Sequence, residues 1–181
     1  HMPGYDGISV EDLTRAEYEG RERMMGLYDY VRDNLPGFEN SKMLGAAEQV
    51  GVRTTRMLKG EYVVTKDDIV NRRYFEDTVC RGRDYYTPYR ALLPTGVEQL
   101  IVAGRHYSAE PEAQKRSREI PPCMVQGEVA GIAASLALNE NIQIRDVDYR
   151  AIQKAMRAQG ADPGDKPSAN ATGVEDFAQS A

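Results

Sequence analysis

Residues 124–138, MVQGEVAGIAASLAL, constrain this chain more than any other stretch. The run holds one charged residue, Glu128, and six small ones: Gly127, Ala130, Gly131, Ala133, Ala134 and Ala137. It is too long for an ordinary strand, so a helix is expected from Met124 to Leu138. A helix apolar on every side must pack against close neighbours. Pro121-Pro122 comes before it, fixing the chain at the helix entrance and supplying no competing N–H groups. Upstream, Leu100-Ile101-Val102-Ala103 is apolar at each position, as a strand buried on both faces should be. Gly104 ends that run and lets backbone approach a flat ligand where a side chain would block it. The helix's first N–H groups and positive dipole end would then be available to an anion or an electron-rich carbonyl. Taken alone, a strand, a loop and a small-residue helix are also ordinary core architecture.

Around this block the punctuation is mostly helical. Ser9 and Asp12 form a capping signal, and Leu13, Met24, Leu27, Tyr28, Val31 and Leu35 keep helical spacing up to Pro36-Gly37. The opposite face is strongly charged, which suits a helix on the outside of a larger body. Val50, Val52, Thr54 and Thr55 predict a strand within 47–58. Thr65 caps a short helix through Ile69 and Val70. Phe75 to Cys80 is expected as a strand, and Tyr85 to Arg90 as an extended aromatic loop, with Thr87 held out of helix by Pro88. Asp148 caps a last amphipathic helix through Ile152, Ala155 and Met156, closed by Gly160. Residues 162–181 are rich in Pro, Gly, Ser, Ala and Asp and are expected as a disordered tail. The sequon at Asn170-Ala171-Thr172 falls there and reads as chance.

Composition then excludes several classes. A chain of 181 residues that is 41% hydrophobic and 28% charged suits a soluble domain with its own core, here assigned to residues 1–161. No run reaches the roughly 20 apolar residues of a membrane span. A net charge of −5 gives no general pull toward nucleic acid. Cys80 and Cys123 form neither a CxxC pair nor a metal-ligand set, and both are read as buried small hydrophobes. With no basic-then-apolar leader at the N-terminus, a cytoplasmic setting is expected. His1-Met2 reads as an expression scar on a native start, which would make this a separately encoded polypeptide.

A resemblance then sharpens the picture. LLPTGVEQLIVAGR (92–105), followed by SREIPPCMVQGEVAGIAA (117–134), resembles the C-terminal signature of FAD-dependent oxidoreductases related to the fumarate reductase and succinate dehydrogenase flavoproteins. Upstream, PGFEN (36–40), VGVRTTR (50–56) and GEYVVTKDD (60–68) continue it, as do the final helix and Gln159-Gly160-Ala161. The resemblance implies an α/β chain: part of a glutathione-reductase-type FAD-binding fold, comprising the C-terminal part of the FAD domain and part of the substrate-domain sheet. It implies FAD as cofactor, with Ala103 and Gly104 beneath the ribityl chain and pyrophosphate. Arg105 would contact ribityl or phosphate oxygens. Pro122, Met124 and Gly127 would lie at the helix end aimed at the flavin ring, where the dipole favours the reduced anion. Arg118 resembles an arginine that faces substrate.

The sequence departs from the family in two places. The loop His106-Tyr107-Ser108 and Glu110-Pro111-Glu112 does not follow a shared pattern, so substrate contacts are not carried over. No GxGxxG segment occurs anywhere in the 181 residues, so the adenine half of FAD has no home on them. The expected function is therefore the small subunit of a split FAD-dependent oxidoreductase, transferring hydride between a substrate carbon and flavin. A larger subunit with the GxGxxG segment would complete the fold and the site. The alternatives are a non-catalytic structural or regulatory subunit, or a truncated remnant, derived from such a flavoenzyme, or a fragment of a single-chain one. His106 is either a proton donor or acceptor beside the flavin or a loop histidine without a role. Tyr85, Tyr86 and Tyr89 either line a pocket or cover the core edge. Arg53 and Arg56 are expected in ion pairs.

Overall fold

Local capping sets the helices of the structure, a computed structural model that describes residues 2–83 and 85–165. The chain divides after Thr55 into two units. In the first, the Ser9 hydroxyl accepts from the Asp12 amide at 3.2 Å and opens α1, Val10–Asn34. The helix stops where Pro36-Gly37 predicts. Its surface is laced by Arg15–Asp12, Arg21–Glu17 and Arg23–Glu19 pairs, and Ala16 is its one buried residue. The returning segment lies along it: Arg21 donates to the Glu48 carbonyl at 3.0 Å, and the Tyr28 hydroxyl to the Ser41 carbonyl at 2.9 Å. This segment is not a strand. The β-branched residues Val50 to Thr55 do favour extension, but among the described residues no neighbouring strand pairs with them.

In the second unit, Thr65 and Asp68 cap each other reciprocally and open α2, Lys66–Val70. Next comes an antiparallel pair, β1 (Thr78–Arg81) and β2 (Tyr86–Pro88), with an irregularity between Thr78 and Cys80. The strand expected at Phe75 to Cys80 is thus shifted toward Arg81, and part of the expected Tyr85–Arg90 loop is its partner. Aromatic and β-branched residues favour that pairing, and Pro88, lacking an N–H, falls at the strand's end. A 3-10 turn at Tyr89–Ala91 follows, then α3 (Pro111–Arg116), α4 (Ile120–Glu140), a 3-10 turn at Ile144–Asp146, and α5 (Tyr149–Ala158). Asp148 caps α5 by accepting from the Arg150 amide at 2.9 Å.

α4 is the centre of this unit. Its inner stripe, Pro122, Gln126, Val129, Ala133 and Ala137, is buried where α4 packs on β1, α5 and the 144–146 turn. Val79, Tyr85, Leu92, Tyr107, Ile152 and Met156 fill the rest of the core. The outer stripe stays bare: Ile120 is 75% exposed, Met124 70% and Leu138 83%.

Leu100–Ala103 is not the buried strand its composition suggests. Leu100 is 44% exposed, and the segment is held to Leu92 by one backbone hydrogen bond, from Val102 at 2.8 Å. An apolar run becomes a central strand only when strands flank it, and none does among the described residues. Helices around a small antiparallel sheet fit an α/β fragment, without a wider parallel sheet among the described residues. Of the expected tail, Pro163 and Gly164 are buried, and Asp162 pairs with Arg81 at 3.1 Å. Residues 166–181, including the sequon, lie outside the described residues. No helix among the described residues is long and apolar enough to cross a membrane.

Candidate functional site

The site forms where the chain after Ala103 meets the first turns of α4. Gly104 has φ +108°, a conformation open to glycine and strained for other residues. Its amide donates to Gln126 Oε1 at 2.8 Å, and its carbonyl accepts from the Tyr107 amide at 3.0 Å. A Cβ on Gly104 would sit 3.6 Å from His106 Cε1, an ordinary contact. Positive φ, and not crowding, is therefore what calls for glycine here. The turn leaves Ala103 and Gly104 half-buried and presents Arg105 and His106 to solvent.

A buried hydroxyl network fixes the entrance of α4. Tyr107 donates to Ser117 Oγ at 2.7 Å, and that hydroxyl donates to the Ala113 carbonyl at 2.9 Å. The Tyr85 hydroxyl lies 3.1 Å from the Ser117 carbonyl and 3.3 Å from Glu119 Oε2. The Cys80 thiol reaches the Pro122 carbonyl at 3.6 Å. Burial drives the Tyr85 and Tyr107 hydroxyls well above their ordinary range and pushes the Cys80 thiol up to about 12. Burial also raises Cys123, with the Glu119 charge adding to the rise and the Arg105 charge opposing it. Both thiols therefore stay protonated at neutral pH and are poor nucleophiles. Tyr85 lies in the core as a positioning group, not in an open pocket.

The expected site residues gather at one end of α4, with corrections. The helix begins at Ile120, one turn before Met124. Pro121 and Pro122 fall inside its first turn, and the Cys123 amide donates to the Glu119 carbonyl at 3.3 Å. The first turn therefore offers an anion at most the Ile120 amide, because two prolines bring none. Met124 to Gly127 belong to the second turn, where their amides are spent within the helix. Met124 and Gly127 share the exposed face, whereas the Pro122 ring is buried on the inner one. Arg118 reaches the same end of the helix, half-buried in the loop between α3 and α4. His106 stands beside Gly104.

Gln126, Tyr107 and Ser117 were not among the residues expected from sequence. Gln126 did carry a signal, as a polar residue at inward spacing (122, 126, 129, 133) in an apolar run. Tyr107 and Ser117 carried none, since their partners are distant in sequence. Gln126 is fully buried, and its Nε2 has no hydrogen-bond partner among the described residues. A Cβ on Gly127 or Gly131 would meet nothing within 4 Å. A bare, small-residue helix face fits a flat ligand such as a flavin, whereas the unmet Gln126 amide lies on the buried inner stripe, away from that face. Among the described residues, no group of His, Cys, Asp and Glu is arranged to hold a metal ion.

The sequence profile of one protein family, described as FAD dependent oxidoreductase, matches residues 2–85 and 81–156. No curated protein matches the chain, and no solved structure does.

Proposed function

The chain belongs to the FAD-dependent oxidoreductase family, and from that premise we propose that it supplies the flavin-facing wall of an active site for hydride transfer. The observation that carries this reading is the junction of Gly104 with α4: a positive-φ turn held to the helix by the buried Gln126 side chain. The adenine half of the dinucleotide would be bound by a GxGxxG segment on a larger partner subunit, since these 181 residues hold no such motif. When bound, FAD supplies the centre that accepts or gives hydride. This chain's residues orient it. Ala103 and Gly104 allow close approach, Arg105 holds an anionic or polyol group, and Met124 and Gly127 give a face for the ring.

Arg118 is read as facing substrate, in keeping with a kinship to fumarate-reductase-type flavoproteins, and His106 as a proton donor or acceptor at the solvent side. The test is reconstitution with the partner that carries the dinucleotide segment. Alone, the chain should purify colourless and bind FAD weakly, because preorganised contacts to the adenine half supply much of a dinucleotide's affinity. In the reconstituted enzyme, Arg118→Ala should lower kcat/KM by ~10²-fold or more with flavin content near normal. Arg105→Ala should instead release flavin, with activity partly restored by added FAD. The reverse pattern would exchange the two roles. No effect from either change, or no flavin in any assembly, would favour a non-catalytic relative.

A further inference from the structure

The C-terminal end of α4 borders a cavity of about 620 Å³, lined by Leu138, Ile142 and Ile144 among apolar residues and by Gln99, Asn141 and Asp146 among polar ones. Leu138 stands roughly 20 Å along the helix from Met124, at about 1.5 Å per residue. The cavity is thus separate from the end of α4 assigned to the flavin. One wall is held from several sides. The Ile144 amide donates to Gln99 Oε1 at 2.9 Å, and the Ile144 carbonyl accepts from the buried Tyr89 hydroxyl at 2.6 Å. Arg145 donates to Glu98 and Glu61 and to the carbonyls of Pro94 and Val97, tying the 94–98 segment to the 144–146 turn. Gln99 has φ +51°, a left-handed conformation that persists where the surroundings over-determine it. A wall fixed in this way loses little freedom when a ligand arrives.

The charge at the cavity has one sign. The negative end of the α4 dipole lies here, and no basic residue stands in the last turn of the helix. Asp146 is exposed and in no ion pair among the described residues, while Arg145 is already occupied by two carboxylates. We propose that this cavity binds a small primary amine with an apolar body. The ammonium, with three donors and no acceptor, bonds to the Asp146 carboxylate near the end of α4. The body lies against Leu138, Ile142 and Ile144. The volume falls within the ~300–1,000 Å³ of small-molecule sites. An anion would meet the same carboxylate and dipole unfavourably.

The test titrates the 15N-labelled chain with phenethylammonium, with 2-phenylethanol as the neutral counterpart and 3-phenylpropionate as the anionic one. Phenethylammonium should shift the backbone amides of Asn141, Ile142 and Ile144 saturably, leaving Gly104 and Gly127 unmoved. The alcohol should bind about tenfold more weakly, the scale of one charge-assisted hydrogen bond, and the carboxylate should leave all five amides in place. Asp146→Asn, at an exposed position and so expected to fold, should weaken amine binding about tenfold as well. Absence of shifts at Asn141, Ile142 and Ile144 would overturn the proposal. Equal binding of amine and alcohol, or unchanged affinity in Asp146→Asn, would overturn it too. None of these outcomes bears on the flavin reading, whose residues lie at the other end of the helix.

Discussion

α1 and α4 are both long helices, yet they are stabilised in opposite ways. α1 has 25 residues, buries only Ala16 and is dressed in ion pairs three or four residues apart. Exposed pairs of that kind contribute about 0.3–0.5 kcal/mol each, so what α1 gains it gains locally. α4 has 21 residues, a buried stripe running its length and an apolar outer stripe as well. It draws its stability from packing. A helix apolar on all sides belongs inside a larger body, so its bare face is poorly suited to water.

Four changes would break or sharpen that contrast. Ile152→Ala removes a fully buried side chain from the core cluster that includes α4's Val129. It should cost about 2–5 kcal/mol in denaturant unfolding, while Leu27→Ala on α1, exposed at 62%, should stay within about 0.5 kcal/mol. Comparable losses at the two positions would mean that α1 is as deeply packed as α4.

A smaller effect is expected at Asp68. Burial pushes its carboxyl up, but the Thr65 amide, the Tyr62 and Thr65 hydroxyls and the Arg73 guanidinium outweigh that and leave it below its usual range. Asp68→Ala should cost about 1.5–3 kcal/mol, as hydrogen bonds to a charged group do. A depressed folded pKa means the stabilisation is present above the unfolded value of about 3.9. It is lost as pH falls through the folded pKa. The acid limb of a stability profile should therefore be shallower in the variant; an unchanged limb would show that the carboxyl contributes nothing in its charged form.

The smallest change in stability is expected at Met124→Glu, within about 0.5 kcal/mol, because that side chain is largely in solvent. The same variant should bind less of an apolar-surface dye and self-associate less than the unaltered chain. Equal dye binding would place the sticky surface elsewhere.

Much of the fold could be read from neighbouring residues. Ser9, Thr65 and Asp148 each announced a helix, and each caps one. Pro36-Gly37 ended α1, and the small-residue run from Met124 is helical. One helix was missed, α3, whose Pro111 opens a stretch expected as loop; the other errors concern strands. Leu100–Ala103 and 47–58 have the residues of strands without strands to pair with, and Tyr86–Pro88 pairs with β1 although it was expected as loop. The site followed the same division. Gly104 could be chosen from its local pattern, and Arg105 and Met124 only from the family resemblance, but the bond from Gly104 to Gln126 spans 22 positions and the Tyr85–Ser117 bond spans 32.

By itself, then, the sequence determined α1, α2, α5 and most of α4, the side-chain caps of α1, α2 and α5, and the membership of the family, because helix hydrogen bonds close within four residues and cap side chains reach no further than the first turn. Only the tertiary structure decided which extended segments pair, which end of α4 meets the Gly104 turn and which polar side chain is buried there without a partner. Strand pairing and burial depend on groups brought together from distant parts of the chain, and no local pattern encodes that distance.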